Sequence, residues 1–119
     1  MTENVYWILE VAIKPGCFED FKALTSMMVE ATQKNEVGAL NYEWAISDDQ
    51  KSCHIYERYQ DSAAVMVHLK SFGDHFATRF AELGTPTRFV IYGTPSAQVK
   101  DAAAGWSPVY MAPFEGFSR

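Results

Sequence analysis

Long apolar runs are missing from this chain of 119 residues, and so is any positively charged stripe. No apolar stretch approaches the roughly 20 residues of a membrane-spanning helix. No charged segment followed by an apolar one marks a secretory signal. The formal net charge is −5. Because nucleic-acid-binding proteins cluster Lys and Arg on one surface, we expect no nucleic acid among the partners. Because no apolar run is long enough to span a bilayer, we also expect no membrane.

Cysteine and histidine are also scarce. The chain has two cysteines, Cys17 and Cys53, without CxxC spacing. This pattern favours two reduced thiols in a cytoplasmic protein over a single disulfide. His68 and His75 are seven residues apart, and a metal ion would need a third ligand. Glu57 is available, but the loose spacing does not indicate a metal site, and we expect none.

Aromatic residues are abundant. They form 14% of the chain, within an otherwise ordinary composition of 48% hydrophobic and 21% charged residues. A chain of this length fits one domain with a modest core. The aromatic share indicates a wide pocket, a large interface, or both.

Hydrophobic periodicity predicts an α+β fold. Alternation along Val5–Lys14 places Val5, Trp7 and Leu9 on one fully apolar face of a first strand. Helical spacing and terminators predict helices at about 17–35, 62–71 and 74–83, with Gly73 as the interruption. Further strands are predicted at 40–47, 53–59 and 87–93. The order β-α-β-β-α-β is the ferredoxin-like pattern of an antiparallel sheet with its helices on one face.

The other face of such a sheet would be bare. Tyr6, Ile8 and Ala12 fall on it, and they are too apolar to be left in water. Pairing of two copies face to face, as a homodimer that forms a dimeric α+β barrel, is the simplest cover.

We divide the chain into a core domain, 1–95, and a C-terminal extension, 96–119. The extension begins with an Ala-rich segment and ends with the apolar, aromatic stretch 109–117. An apolar terminal segment is rarely left in water. We therefore predict an edge strand that docks on the dimer, and Pro113 fits an edge position.

Residues able to perform acid–base chemistry gather where the third strand meets the next helix. If Glu57 holds one imidazole nitrogen of His68, the other nitrogen is free to act as a base. Tyr59 would complete this catalytic set. The alternative is that Glu57 and His68 form only a structural hydrogen bond between strand and helix.

A second set of residues would bind a substrate. Trp7, Tyr42 and Trp44 could stack on a flat ring, or could simply be core. His75 is expected near the mouth of the pocket. Arg79 could bind an anionic group, or pair with surface acids instead. Cys53 is not a convincing nucleophile, because its strand neighbours point to the opposite face.

The chain resembles the antibiotic biosynthesis monooxygenase family, whose members are dimeric α+β barrels of the quinol-monooxygenase type. The matching features are Lys14-Pro15-Gly16 after the first strand and Glu57-x-Tyr59 at the end of the third. An Asp-Ser-Ala-Ala helix start and the pattern from His68 to His75-Phe76 complete the set. The match spans roughly residues 5–95.

The resemblance implies a homodimer with one small-molecule pocket per subunit. It implies a cofactor-independent monooxygenase acting on a small aromatic, quinol or enolisable substrate. An isomerase using the same pocket and a non-catalytic dimeric binding or accessory protein remain open. Leu9 and His68 stand where the haem-degrading branch has Asn and Trp, which argues against haem cleavage. Ile55 replaces an Asn of the phenol-oxidising branch, and Tyr59 replaces the usual Trp.

Overall fold

The computed structural model describes residues 2–119, so Met1, the first residue of the predicted core domain, lies outside the described residues. Five strands and four α-helices follow one another in these residues. Their bounds are β1 Val5–Ile13, α1 Phe18–Asn35, β2 Ala39–Ile46, β3 Ser52–Tyr59, α2 Ser62–His75, α3 Ala77–Leu83, β4 Gly84–Tyr92, α4 Ala97–Ala103 and β5 Val109–Met111. A 3-10 turn, Ala104–Trp106, follows α4.

The strands form one sheet in the order β2-β3-β1-β4-β5. The first four strands pair antiparallel, and β5 joins β4 in parallel. The central strand β1 sets Trp7 opposite Glu57 of β3 and Ile91 of β4. The helices pack on one face of this sheet, so the predicted ferredoxin-like α+β fold is confirmed.

The core lies between the sheet and the helices. Alternate residues of β1 are buried from Val5 to Ile13, which is the alternation that the sequence predicts. The facing stripe of α1 buries Phe21, Leu24 and Met28. Because a fully buried side chain of this kind contributes about 1.5–3 kcal/mol, these facing rows hold the helix on the sheet.

The second helical region differs from the prediction at Gly73. Helix α2 continues through Gly73 to His75, and the break falls at Phe76, whose φ of −128° leaves the helical range. A Cβ added at Gly73 would meet no atom within 4 Å. An exposed glycine in a helix costs only about 1 kcal/mol relative to alanine, which is too little to end α2.

The opposite face of the sheet carries no helix. Tyr6, Ile8 and Ala12 lie on it and remain half-buried in the single chain. Tyr6 stacks on Tyr92 of β4, with ring centroids 5.2 Å apart and planes inclined by 7°. This outer face is therefore apolar in large part and faces away from the core.

The C-terminal extension packs back on the domain. Val99 and Ala103 of α4 are buried in the core, and the Ser96 amide donates to Ser62 Oγ over 3.0 Å. Strand β5 pairs with residues 90–92 of β4 in the same chain. Docking of this strand on a second copy stays a prediction. Within residues 2–119, no helix is long and apolar enough to cross a membrane.

Candidate active site

Strand alternation places Glu57 among apolar residues. Cys53, Ile55, Glu57 and Tyr59 point to the helix face of β3, and all four are buried. Glu57 is only 5% exposed. A buried carboxylate is costly unless it is paired, so its partners decide what it can do.

Helix α2 supplies His68. The side chain of Asp61 accepts a hydrogen bond of 2.9 Å from the Ala64 amide, which confirms the predicted cap and fixes the start of the helix. Val65 and His68 then fall on the same helix face and are both buried. His68 therefore enters the core directly above β3.

Glu36 is a third member of the site, and the sequence analysis missed it. It follows the last residue of α1 and is 7% exposed. Met28, Thr32 and Glu36 are spaced four residues apart, so the buried stripe of α1 continues onto Glu36. That spacing is the signal that could have identified it.

His68 lies between the two glutamates. Its Nδ1 is 2.9 Å from Glu36 Oε1, and its Nε2 is 3.2 Å from Glu57 Oε1. The Tyr59 hydroxyl donates to the same Glu57 oxygen over 2.6 Å. The four side chains form one continuous, buried hydrogen-bonded network linking α1, α2 and β3.

The network changes the predicted role of His68. Burial by itself lowers the pKa of His68, but the hydrogen bonds and charges of Glu36 and Glu57 outweigh it and raise the pKa to about 9. His68 is therefore an imidazolium at neutral pH and donates from both nitrogens. The prediction of one free imidazole nitrogen is thus corrected, because Glu36 occupies the position that was expected to be open.

Tyr42 borders the network and Tyr59 belongs to it, and both tyrosines stay protonated. Burial, followed by the charge of Glu57, raises the pKa of both Tyr42 and Tyr59 well above the usual value. Their rings lie 5.3 Å and 5.2 Å from the His68 ring, centroid to centroid. Tyr59 thus acts as a hydrogen-bond donor to Glu57 and not as a base.

A hollow opens beside this network, between the sheet and the helices. The empty space there is about 460 Å³ when the part that is open to solvent is included. Its enclosed part is narrow, with room for a few water molecules. The lining is mostly apolar and aromatic: Trp7, Leu9, Met28, Tyr42, Ile55, Glu57, His68, Leu69, Phe72, Phe80, Phe89, Ala103 and Trp106.

The predicted substrate-binding residues divide into two groups. Trp7 and Tyr42 line the hollow. Trp44 does not, because its ring packs among Phe21, Tyr42 and Phe80 in the core.

His75 and Arg79 also lie off the hollow. Both are exposed, and Arg79 lies 3.5 Å from Asp20. Neither is among the residues that line the hollow, so a role for them in substrate binding stays a prediction.

The glutamates of the network do not converge on one point. The two ring nitrogens of His68 point in different directions, so Glu36 and Glu57 lie on separate sides of the imidazole. Over residues 2–119, no group of three or more His, Cys, Asp or Glu side chains is arranged to hold a metal ion. Cys53 stays apart from this chemistry, since burial raises its pKa to about 11.

The chain matches the sequence model of a known protein family. The sequence profile of the antibiotic biosynthesis monooxygenase family matches residues 4–81. The chain therefore belongs to this family of monooxygenases, as the sequence resemblance predicted. No curated protein sequence matches the chain significantly.

Solved structures share the fold at low sequence identity. MupZ from Pseudomonas fluorescens is 20% identical, with a TM-score of 0.86 over 99% of this chain and 96% of that one. SnoaB, a cofactor-independent oxygenase from Streptomyces nogalater, is 15% identical, with a TM-score of 0.66 over 81% and 97%. A conserved protein from Methanosarcina mazei Go1 is 22% identical, with a TM-score of 0.64 over 76% and 92%.

The matches differ in how much of the chain they cover. The match to MupZ takes in nearly the whole chain, whereas that to SnoaB leaves about a fifth of it unmatched. The fold of α4 and β5 is thus shared with MupZ.

Proposed function

We propose that this protein is a cofactor-independent monooxygenase that begins its reaction by taking a proton from a small aromatic, quinol or enolisable substrate. The observation that carries the proposal is the Glu57 carboxylate on the wall of the hollow. Tyr59 and His68 both bind its Oε1, so its Oε2 is the oxygen left for a ligand. Membership of the monooxygenase family and the fold shared with SnoaB support the oxygen step.

In the proposed reaction, Glu57 Oε2 accepts a proton from an acidic O–H or C–H group. The substrate anion passes one electron to dioxygen, the two radicals combine into a peroxide anion, and Glu57 returns the proton to it. Loss of water from this hydroperoxide leaves a carbonyl group, so a CH₂ group and O₂ become C=O and H₂O. In a quinol, the CH₂ group is the ring carbon of its keto tautomer. The substrate supplies all the electrons, and no external reductant is consumed.

The charges around Glu57 limit the substrates it can deprotonate. A carboxylate is a weak base compared with most catalytic bases, and Glu57 already faces the His68 imidazolium at 3.2 Å. Only a group acidified by conjugation, such as a phenol, quinol or enolisable carbon, would lose its proton to it. Once Glu57 has taken the proton, the charges of His68 and Glu36 cancel, so the substrate anion no longer meets a net negative charge.

The lining also selects against anionic substrates. Of the described residues that line the hollow, none is Lys or Arg. Glu36 and Glu57 face a single imidazolium, so the network carries a net negative charge when both are ionised. A carboxylate or phosphate would be repelled and left unpaired. We therefore propose an uncharged, largely apolar substrate with one acidic group directed at Glu57.

An isomerase is the second candidate. His68 and Glu57 place a proton donor and a proton acceptor side by side, which is what proton removal and return require. A non-catalytic binding protein would use the same hollow without proton transfer. Dioxygen consumption separates the monooxygenase from both, and deuterium uptake from solvent into the substrate identifies the isomerase.

The test of the proposal is oxygen consumption with a panel of hydroquinones. We expect Glu57→Gln to lower kcat by about 10²–10⁴, the usual contribution of general acid–base catalysis. Glu43→Gln is the control, because Glu43 is exposed on β2 and bonds Asn41. Equal rates in Glu57→Gln and the wild type would overturn the role of Glu57. Absence of oxygen uptake with every quinol would overturn the monooxygenase.

We also propose that the protein works as a homodimer in the cytoplasm. The uncovered outer face of the sheet supports the dimer, and the free thiols Cys17 and Cys53 support a reducing compartment. Absence of a cofactor remains part of the proposal.

A further inference from the structure

Part of the wall of the hollow comes from the C-terminal extension, through Trp106. On the sheet, Trp7 pairs with Glu57 of β3, and its ring lies 5.4 Å from that of Phe89, centroid to centroid. Phe89 in turn contacts Trp106, at 6.1 Å between centroids. Glu57 and Trp106 therefore line the same hollow and are linked through the rings of Trp7 and Phe89.

Trp106 is the last residue of the short 3-10 turn between α4 and β5. On one side α4 buries Val99 and Ala103, and on the other β5 pairs with β4. Between these anchors, a Cβ added at Gly105 would meet nothing within 4 Å. Ser107 has a φ of 51°, a left-handed conformation that costs a non-glycine residue energy.

The indole of Trp106 packs on two aromatic rings. It lies against Phe72 of α2, at 5.8 Å, and against Phe89 of β4, at 6.1 Å, and the residue is only half-buried. The enclosed space is too narrow for a ring system, so a flat substrate can enter only if part of the wall moves. Trp106 is the aromatic lining residue that lies outside the α-helices and strands.

We propose that Trp106 is a specificity-determining residue that sets the size of the ring system reaching Glu57, by closing the hollow from the extension side. This inference rests on the proposed function for the identity of the ligand, an uncharged quinol. A two-ring quinol must displace the indole further than a one-ring quinol does. Trp106 lies beyond residue 81, where the family match ends. The extension thus adds a residue that determines selectivity to the part of the chain shared with the family.

The test measures binding without turnover. Dissociation constants of 1,4-hydroquinone and 1,4-naphthalenediol are determined by calorimetry under nitrogen, for the wild type and for Trp106→Ala. Pocket enlargement of this kind changes relative affinities by about tenfold or more. We expect the preference for naphthalenediol over hydroquinone to rise about tenfold in Trp106→Ala. An unchanged preference, or no binding of either quinol to any variant, overturns the proposal.

Two further variants control for folding. Trp106→Phe keeps a ring against Phe72 and Phe89, and we expect a smaller shift in the same direction. Phe114→Ala removes an aromatic ring from the same extension at a position that is 96% exposed, and should leave both constants unchanged. Equal shifts in Phe114→Ala and Trp106→Ala would overturn the assignment. If the preference shifts but no oxygen is consumed in air, Trp106 keeps its role and the monooxygenase proposal fails.

Discussion

His68 is held as an imidazolium by two carboxylates that come from different elements of the fold. Glu36 binds Nδ1 from the end of α1, and Glu57 binds Nε2 from β3. Each carboxylate compensates for part of the cost of burying the charged ring. The pair also orients the ring, with Nε2 toward the Glu57 carboxylate that we propose as the base.

The first prediction at this scale concerns the pKa of His68. Glu36→Gln removes one negative charge, so we expect the pKa to fall from its value of about 9. The C2 proton of His68 can be followed by NMR titration, because the chain has only three histidines. Glu30→Gln, an exposed change on the same helix, is the control. A pKa near the ordinary value in the wild type would contradict the network.

The second prediction follows from the same shift. The folded-state pKa of about 9 lies above the ordinary value of 6.5, so protonation of His68 stabilises the fold. This contribution is fully present below pH 6.5 and is lost as the pH rises through 9, and it amounts to about 3 kcal/mol. Urea unfolding of the wild type should therefore show a larger loss of stability between pH 6 and pH 10 than Glu36→Gln does. Parallel pH profiles of the two proteins would contradict it.

At the scale of the elements, Gly38 lets the loop after α1 approach α2. A Cβ added there would lie 2.6 Å from Ala64 Cβ, closer than two carbon atoms can pack. The Gln60 amide donates to the Gly38 carbonyl over 2.9 Å and holds the loop in place. Since Glu36 lies two residues earlier, this close approach is what brings its carboxylate to His68.

We expect Gly38→Ala to push the loop away from α2. Overpacking of this kind costs about 1–3 kcal/mol in unfolding free energy, and the His68 pKa should fall with the lengthened bond to Glu36. Gly73→Ala is the matched control. It meets no neighbour in α2 and should stabilise the protein by about 0.5–1 kcal/mol. Chemical denaturation and NMR titration of His68 check both variants. If Gly38→Ala is as stable as the wild type and leaves the pKa of His68 unchanged, Gly38 does not position Glu36.

At the scale of the whole molecule, the sheet has one covered face and one uncovered face. The helices shield the first, while Tyr6, Ile8 and Ala12 lie on the second. The terminal segment carries Phe114 and Phe117, which are 96% and 83% exposed. Exposed apolar residues grouped in this way are typical of an interface, and a second copy of the sheet is the cover that we propose.

We therefore expect the protein to have about twice its chain mass of 13.4 kDa in solution. Ile8→Lys puts a charge on the outer face and should shift the protein toward the monomer. Val67→Lys places the same charge on the outer side of α2, where Val67 is 55% exposed, and should leave the mass unchanged. Light scattering at micromolar concentration measures the mass of the wild type and of both variants. A monomeric wild type would contradict the dimer.

The sequence by itself determined the order of elements and most of the core. Alternation along β1 and β3 and the apolar stripe of α1 specify which faces are buried, because strand and helix periods are local properties of the chain. The same alternation placed Glu57 and Tyr59 on the inner side of β3. The cap at Asp61 likewise depends only on neighbouring residues.

Only the tertiary structure decided what those inner residues do. Glu36 and His68 are 32 residues apart, and no local pattern joins them. Their contact depends on how closely two elements approach, which Gly38 permits. The same holds for Trp106, which reaches the hollow because the extension folds back over α2. Charge state and pocket shape arise from such distant contacts, so the base expected at His68 became an imidazolium once its second partner was in place.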